Sequence, residues 1–304
     1  MANLKDIRKR RKGVTNTKKI TRTMELVASA KFRKAQDAAM AARPYAEELR
    51  NLILRIAERS GKSLSHPLLK ERSSVKTVLI AVATSDRGLC GAFNANLVNV
   101  ALKLAKEQEA LGRKVRFVSL AKKAASGLAF AGYEVEVAHT KLIGGNLKFD
   151  QMERMANALI KDFTDGKCDL VYVVFSRFLT QSRQEPTAAP MLPAAFAADK
   201  LDDKIDNKVD NKVGHKKLKA DFIYEPKAED LFAALIPQMV RFYIYSTLLQ
   251  TTASEHAARR IAMKNATDAA TDMIKALNTA YNRGRQGKIT QEIAEITGAV
   301  EAMA

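Results

Sequence analysis

The sequence predicts an α/β protein in two parts. One is a long antiparallel coiled coil of the N- and C-terminal helices; the other is a central α/β domain with a mostly parallel sheet. Three observations predict it. Helical periodicity runs through residues 1–59. It returns over 227–304. Between them, short β-branched runs alternate with helix-length stretches, the pattern of strands joined by helical crossovers. The chain has 304 residues, 47% of them hydrophobic, enough for a sizeable core.

In the first part, Leu4, Ile7 and Val14 recur at spacings of 3 and 7, and Ile20, Met24 and Val27 at 4 and 3. This is a narrow apolar seam on a charged helix. Pro44 is expected to bend or break that helix, because proline removes a backbone hydrogen bond. SGKSLSHP, residues 60–67, reads as the exit loop. The central domain then spans 60–226. VKTVLIAVA, RKVRFVSL, YEVEVAH and CDLVYVVFS read as strands, and stretches near 94–111, 121–131 and 149–165 as helices. QEPTAAPMLP, with its prolines, is expected at a sheet edge or in a loop. Residues 199–219, DKLDDKIDNKVDNKVGHKKLK, combine dense mixed charge with a near repeat, and read as an exposed insertion.

Pro226 and Pro237 punctuate the start of the last part. Ile261, Met273, Leu277, Ala280 and Tyr281 then recur at helical spacing. Ile289, Ile293, Ile296, Val300 and Met303 follow at 4, 3, 4 and 3, a heptad seam. Alanine is frequent here, and small side chains let two helices approach closely.

The net charge is +18, with 51 Lys plus Arg against 33 Asp plus Glu, so an acidic partner is expected. Residues 1–35 carry twelve Lys or Arg and only Asp6 and Glu25 as acids. Tryptophan is absent and aromatic residues make up 6%, which disfavours a base-stacking nucleic-acid platform. Cys90 and Cys168 sit in apolar surroundings and read as buried free thiols of a reducing compartment. His66, His139, His215 and His256 share no ligand spacing and read as ordinary loop or surface residues, so no metal site is expected. No apolar run reaches the roughly 18 residues of a membrane span. The basic start, MANLKDIRKRRKG, has no apolar signal core.

SDRGLCGAFN, residues 85–94, follows a strand and precedes a helix, where phosphates are often bound. It lacks the lysine and hydroxyl of a P-loop and the spacing of a dinucleotide fingerprint. The expectation is a tight turn, with Asn94 or Asn96 capping the helix and Asp86 and Arg87 as a local ion pair. No catalytic set stands at motif spacing, so no cofactor and no enzymatic activity of the chain alone are expected.

Four segments together resemble the gamma subunits of F-type ATP synthases over nearly the whole chain. They are KKITRTMELVASAKFRKAQ, SDRGLCGAFN, SEHAARRIAMKNATDAATDMI and YNRGRQGKITQEIAEITGA. The resemblance implies a non-catalytic central shaft that couples proton flow to ATP synthesis or hydrolysis. The terminal helices would turn inside a ring of alternating alpha and beta subunits. The middle, Rossmann-like domain would form a foot for the epsilon subunit and the membrane c ring. Membrane association would be peripheral, only through partners. The match begins at Asn3 or Leu4 and leaves little room for a transit peptide, so the cytoplasmic side of a bacterial membrane is expected.

By resemblance, Met24, Arg259, Arg285, Gln286, Thr290 and Glu292 would contact a beta subunit, and Tyr224 and Glu225 would lie near the c ring or epsilon. For Met24 a plain coiled-coil core position is an equal alternative. The stretch 199–219 holds no cysteine, unlike the regulatory insertion of plant chloroplast members. Two rival readings are a basic coiled-coil binder of nucleic acid and a nucleotide-dependent enzyme built on 75–224. The mixed acids of the C-terminal helix and the scarce aromatics weigh against the first, the missing P-loop lysine against the second.

Overall fold

The computed structural model describes residues 4–60, 66–140, 142–145, 147, 149–194, 225 and 227–303. The expected insertion at 199–219 lies outside them. Two compact units are present: residues 31–258, and residues 1–30 with 259–304.

Within residues 31–258 a five-stranded sheet is built from β1 (Thr77–Val82), β2 (Lys114–Ser119), β3 (Val135–Ala138), β4 (Leu170–Phe178) and β5 (Gln184–Leu192). Its order is β3-β2-β1-β4-β5. The first four strands are parallel, and β5 pairs antiparallel with β4 at the edge. The proline-bearing run is thus the edge strand, where a missing N–H costs least. Helices α2 (Phe93–Ala110), α3 (Lys122–Phe130) and α4 (Phe149–Thr164) connect the parallel strands.

β1 is apolar throughout because both of its faces are covered. Val78, Ile80 and Val82 pack with Phe93, Leu97 and Leu104 of α2 and Leu128 of α3. Gly127 allows this closeness: a Cβ there would come within 2.9 Å of a Val98 methyl. Leu79 and Ala81 face the other way, into a core with Met152, Met155 and Phe163 of α4. The same core takes Leu49, Ile53 and Ile56 from α1 (Leu4–Ser60) and Ile236, Val240, Ile244 and Leu248 from α5 (Ala228–Met303). Burying each such side chain stabilises the fold by roughly 1.5–3 kcal/mol.

This packing explains two departures from expectation. Pro44 does not end α1, and Pro237 lies inside α5. A helix-interior proline costs about 3 kcal/mol. The apolar turns on either side, including the Tyr45–Phe242 ring contact, offset it. A third departure is the hydropathy of α5: an 18-residue window within Ala228–Val300 averages 1.2, long and apolar enough by composition to span a membrane. Its large apolar residues Phe232, Ile236, Val240, Phe242, Ile244 and Leu248 are those that form the core.

Within residues 1–30 and 259–304 the two helices run antiparallel. Thr21 meets Thr267, Arg11 meets Asn278 and Tyr281, and Leu4 meets Gly284. The inward face of α1 is Leu4, Ile7, Arg11, Val14, Lys18, Thr21, Glu25 and Ala28, a strict 3-4 alternation of buried or half-buried positions. On α5 it is Met263, Thr267, Ala270, Ile274, Leu277, Tyr281 and Gly284. Ile20 and Val27, expected in the seam, are 60% and 50% exposed. Met273 and Ala280 also face out. Four of the α1 seam positions are polar or charged, so following the apolar residues alone leads off the true face.

Candidate functional site

The glycine-rich loop is a turn held by its own side chains. Asn94 sits in the first turn of α2, but it does not cap that helix, whose N-cap is Ala92 without a side-chain bond. Its Oδ1 accepts the Ser85 N–H at 2.9 Å, and its Nδ2 donates to the Cys90 Sγ at 3.2 Å. Asp86 accepts the Lys122 N–H at 2.9 Å and so closes the start of α3. The side chains of Asn94 and Asp86 are thus spent on holding the loop and its neighbour α3. Leu89 at its tip is 62% exposed with φ 64°, a left-handed conformation uncommon for leucine. Residue spacing carries no signal for that exposure.

Both cysteines are buried and free. Burial, with the carboxylate of Asp162 nearby, pushes the Cys168 thiol up to about 12. His256 corrects the expectation of surface histidines: it is 3% exposed, with Nδ1 2.9 Å from a carboxylate oxygen of buried Glu255. His66 is half-buried, its Nδ1 accepting the Leu68 N–H, and burial lowers its pKa. Among the described residues no group of His, Cys, Asp or Glu has the arrangement of a metal site.

The polar residues singled out in the sequence fall mostly on one helix. Arg285, Gln286, Thr290 and Glu292 occupy successive turns of α5 and are all exposed. The Thr290 hydroxyl donates to the Gln286 carbonyl at 3.0 Å, and Lys288 lies 3.6 Å from Glu292. Arg259 is half-buried on the same helix, about 39 Å before Arg285 at 1.5 Å per residue. Met24, half-buried, lies one turn beyond Thr21, whose partner is Thr267, so it is nearer Arg259 than Arg285. Glu225 is exposed, and Tyr224 lies outside the described residues.

Every described side chain from Arg285 to Met303 is exposed. α1 begins at Leu4, which meets Gly284, so the following turns of α5 have no partner helix among the described residues. The heptad Ile289, Ile293, Ile296, Val300 and Met303 therefore stands open, from 41% to 91% exposed, instead of closing an intrachain seam. On α1, Arg8, Lys9, Arg10, Lys12, Lys19 and Arg22 are exposed. A cationic helix face and an open apolar stripe beside a polar cluster offer contact surface to other proteins.

A family model described as ATP synthase matches residues 3–303. The chain is similar to the ATP synthase gamma chain of Nitratidesulfovibrio vulgaris, 40% identical over 303 residues, covering 100% of this chain and 99% of the relative. It is also similar to that of Rhodopirellula baltica, 36% identical over the same length, covering 100% and 99%. Among solved structures it resembles a chain of the central stalk and c-ring of Tetrahymena thermophila mitochondrial ATP synthase. That match has TM-score 0.59 and 21% identity, and covers 81% of this chain and 99% of the other. A chain of the Euglena gracilis mitochondrial OSCP/F1/c-ring assembly matches with TM-score 0.64 and 18% identity, covering 99% and 94%. At these identities the two structures speak to the fold. The match along the whole sequence speaks to the family: this chain belongs to the ATP synthase gamma chains.

Proposed function

We infer that the chain is the rotor subunit of an F-type ATP synthase, coupling proton flow through a membrane c ring to ATP synthesis or hydrolysis at the beta subunits. It is not itself catalytic. It turns within the ring of alpha and beta subunits and is held at the membrane peripherally, through its partners. Helices 1–59 and 227–304 form its driving part and 60–226 its foot for epsilon and the c ring.

The observation that carries this reading is the end of α5. It continues past Gly284 without a partner helix among the described residues, with a polar cluster and an apolar stripe both exposed. A rotor shifts a catalytic subunit between conformations only by interacting with them unequally. An arginine with five donors in a planar fork, beside a glutamine that both donates and accepts, suits such a contact. In this reading Arg285 and Gln286 grip one beta subunit at a time, with Thr290 and Glu292 beside them. Met24 and Arg259 contact beta lower on the helix pair, and Tyr224 and Glu225 face the c ring or epsilon.

Co-purification tests the assignment. The tagged chain, expressed with its genomic neighbours, is expected to bring down an alpha and a beta subunit in a complex that hydrolyses ATP. Recovery alone, or with nucleic acid, would contradict it.

A further inference from the structure

The first turn of α1 lies against α5 at Gly284. Leu4 is half-buried there, and a Cβ on Gly284 would stand 3.2 Å from a Leu4 methyl, closer than ordinary van der Waals contact. Glycine in a helix interior costs about 1 kcal/mol relative to alanine, and at this position it makes room for Leu4. One turn earlier on α5, Tyr281 lies under the Arg11 guanidinium, 5.5 Å from its carbon, and Arg11 donates to Asn278 at 3.1 Å. Immediately after Gly284 come Arg285 and Gln286. A Cβ on Gly287 would meet nothing within 4 Å, and the exposed stretch follows.

We propose that Leu4 is a positioning residue: seated over Gly284, it braces the last paired turn of α5 and so fixes the direction in which Arg285 and Gln286 meet their partner. Past Gly284 α5 has no partner helix among the described residues, so without the brace Arg285 and Gln286 would be carried on an unsupported turn. A polar contact that has to form on one partner conformation and release on another depends on such placement, because it weakens steeply with misalignment. This proposal rests on the reading of Arg285 and Gln286 as a beta-subunit contact.

The test uses assembled, membrane-reconstituted complexes and measures ATP hydrolysis and ATP-driven proton pumping side by side. Four variants are compared: Leu4→Ala, Leu4→Met, the pair Arg285→Ala with Gln286→Ala, and that pair combined with Leu4→Ala. Leu4→Ala is expected to lower protons pumped per ATP by about twofold or more, with assembly unchanged, and Leu4→Met, of similar volume, to restore it. In the background of the Arg285/Gln286 replacement, Leu4→Ala is expected to add nothing, as for residues acting as one unit. If the Arg285/Gln286 replacement changes coupling while Leu4→Ala does not, or if the two effects add, the brace is wrong and the contact stands. If the Arg285/Gln286 replacement is silent, the contact reading fails and this proposal falls with it, whatever Leu4→Ala does.

Discussion

Thr21 Oγ1 and Thr267 Oγ1 lie 2.8 Å apart, buried inside the helix pair and 246 residues apart in the chain. Each hydroxyl has one proton to give: Thr267 donates to the Met263 carbonyl at 2.8 Å and accepts from Thr21, for which the Lys18 carbonyl at 3.1 Å is the alternative acceptor. A hydroxyl pair in an otherwise mixed seam penalises any slip of one helix along the other, since a slip would bury both groups without each other. Thr21→Val alone is expected to lower the unfolding free energy by about 1 kcal/mol, because Thr267 loses a buried partner. The double variant Thr21→Val, Thr267→Val should cost less than the sum of the singles. Denaturant unfolding of the three variants checks this; strict additivity would show that the hydroxyls do not act together.

Leu89 holds a left-handed backbone with its side chain largely in water. Strain of this kind costs roughly 1–2 kcal/mol, and asparagine tolerates the conformation better. Leu89→Asn is therefore expected to leave the melting temperature of the isolated chain unchanged or raise it by a few degrees. A clear fall would mean that the leucine side chain stabilises the loop.

The Cys168 thiol is raised from its ordinary value of 9.0 to about 12, first by burial. The folded chain thus holds a proton that the unfolded chain gives up above pH 9. The stabilisation is fully present below pH 9 and is lost as pH rises from there toward 12. Stability of the wild type should fall more steeply over that interval than that of Cys168→Ala. At pH 8, alkylation of Cys168 should require unfolding. Equal slopes, or rapid labelling of the folded chain, would contradict the burial argument.

The open stripe of Ile293, Ile296 and Val300 packs against nothing in its own chain among the described residues. Replacing Ile293 and Ile296 with serine should change the chain's own stability by no more than about 0.5 kcal/mol, as for surface sites. The same change should lower the yield or ATP turnover of the assembled complex. Circular dichroism melts and assembly yields separate the two effects; a large loss of chain stability would mean that the stripe is intrachain core.

The strands and the helices between them are legible in the sequence because β1 and β4 are apolar runs with glycine-bearing turns after the helices, and because α4 has a clear amphipathic face. The helix pair is legible as an architecture but not in its register. Arg11, Lys18, Thr21 and Glu25 occupy seam positions that a hydrophobic pattern skips, while Ile20 and Val27 sit outside. Asn94 has the sequence position of a cap and instead ties a loop, because a first-turn asparagine reaches backward as easily as it caps. The burial of His256 comes from tertiary packing, which spacing does not report. The polar cluster at Arg285 is visible through family resemblance alone. Its residues are solvated in the single chain, and the physics that would mark them belongs to a partner surface.

A rotor must turn against its ring, and a label on the sheet domain makes that motion visible. Phe130 is 95% exposed and both native cysteines are buried, so Phe130→Cys gives one site for a label on the domain built around the sheet. Complexes of this variant with alpha and beta subunits would be fixed to a surface through the ring, and the label followed during ATP hydrolysis. Unidirectional stepwise rotation of the label, with a dwell for each catalytic subunit, is expected. ATP hydrolysis at the normal rate with a stationary label would contradict it.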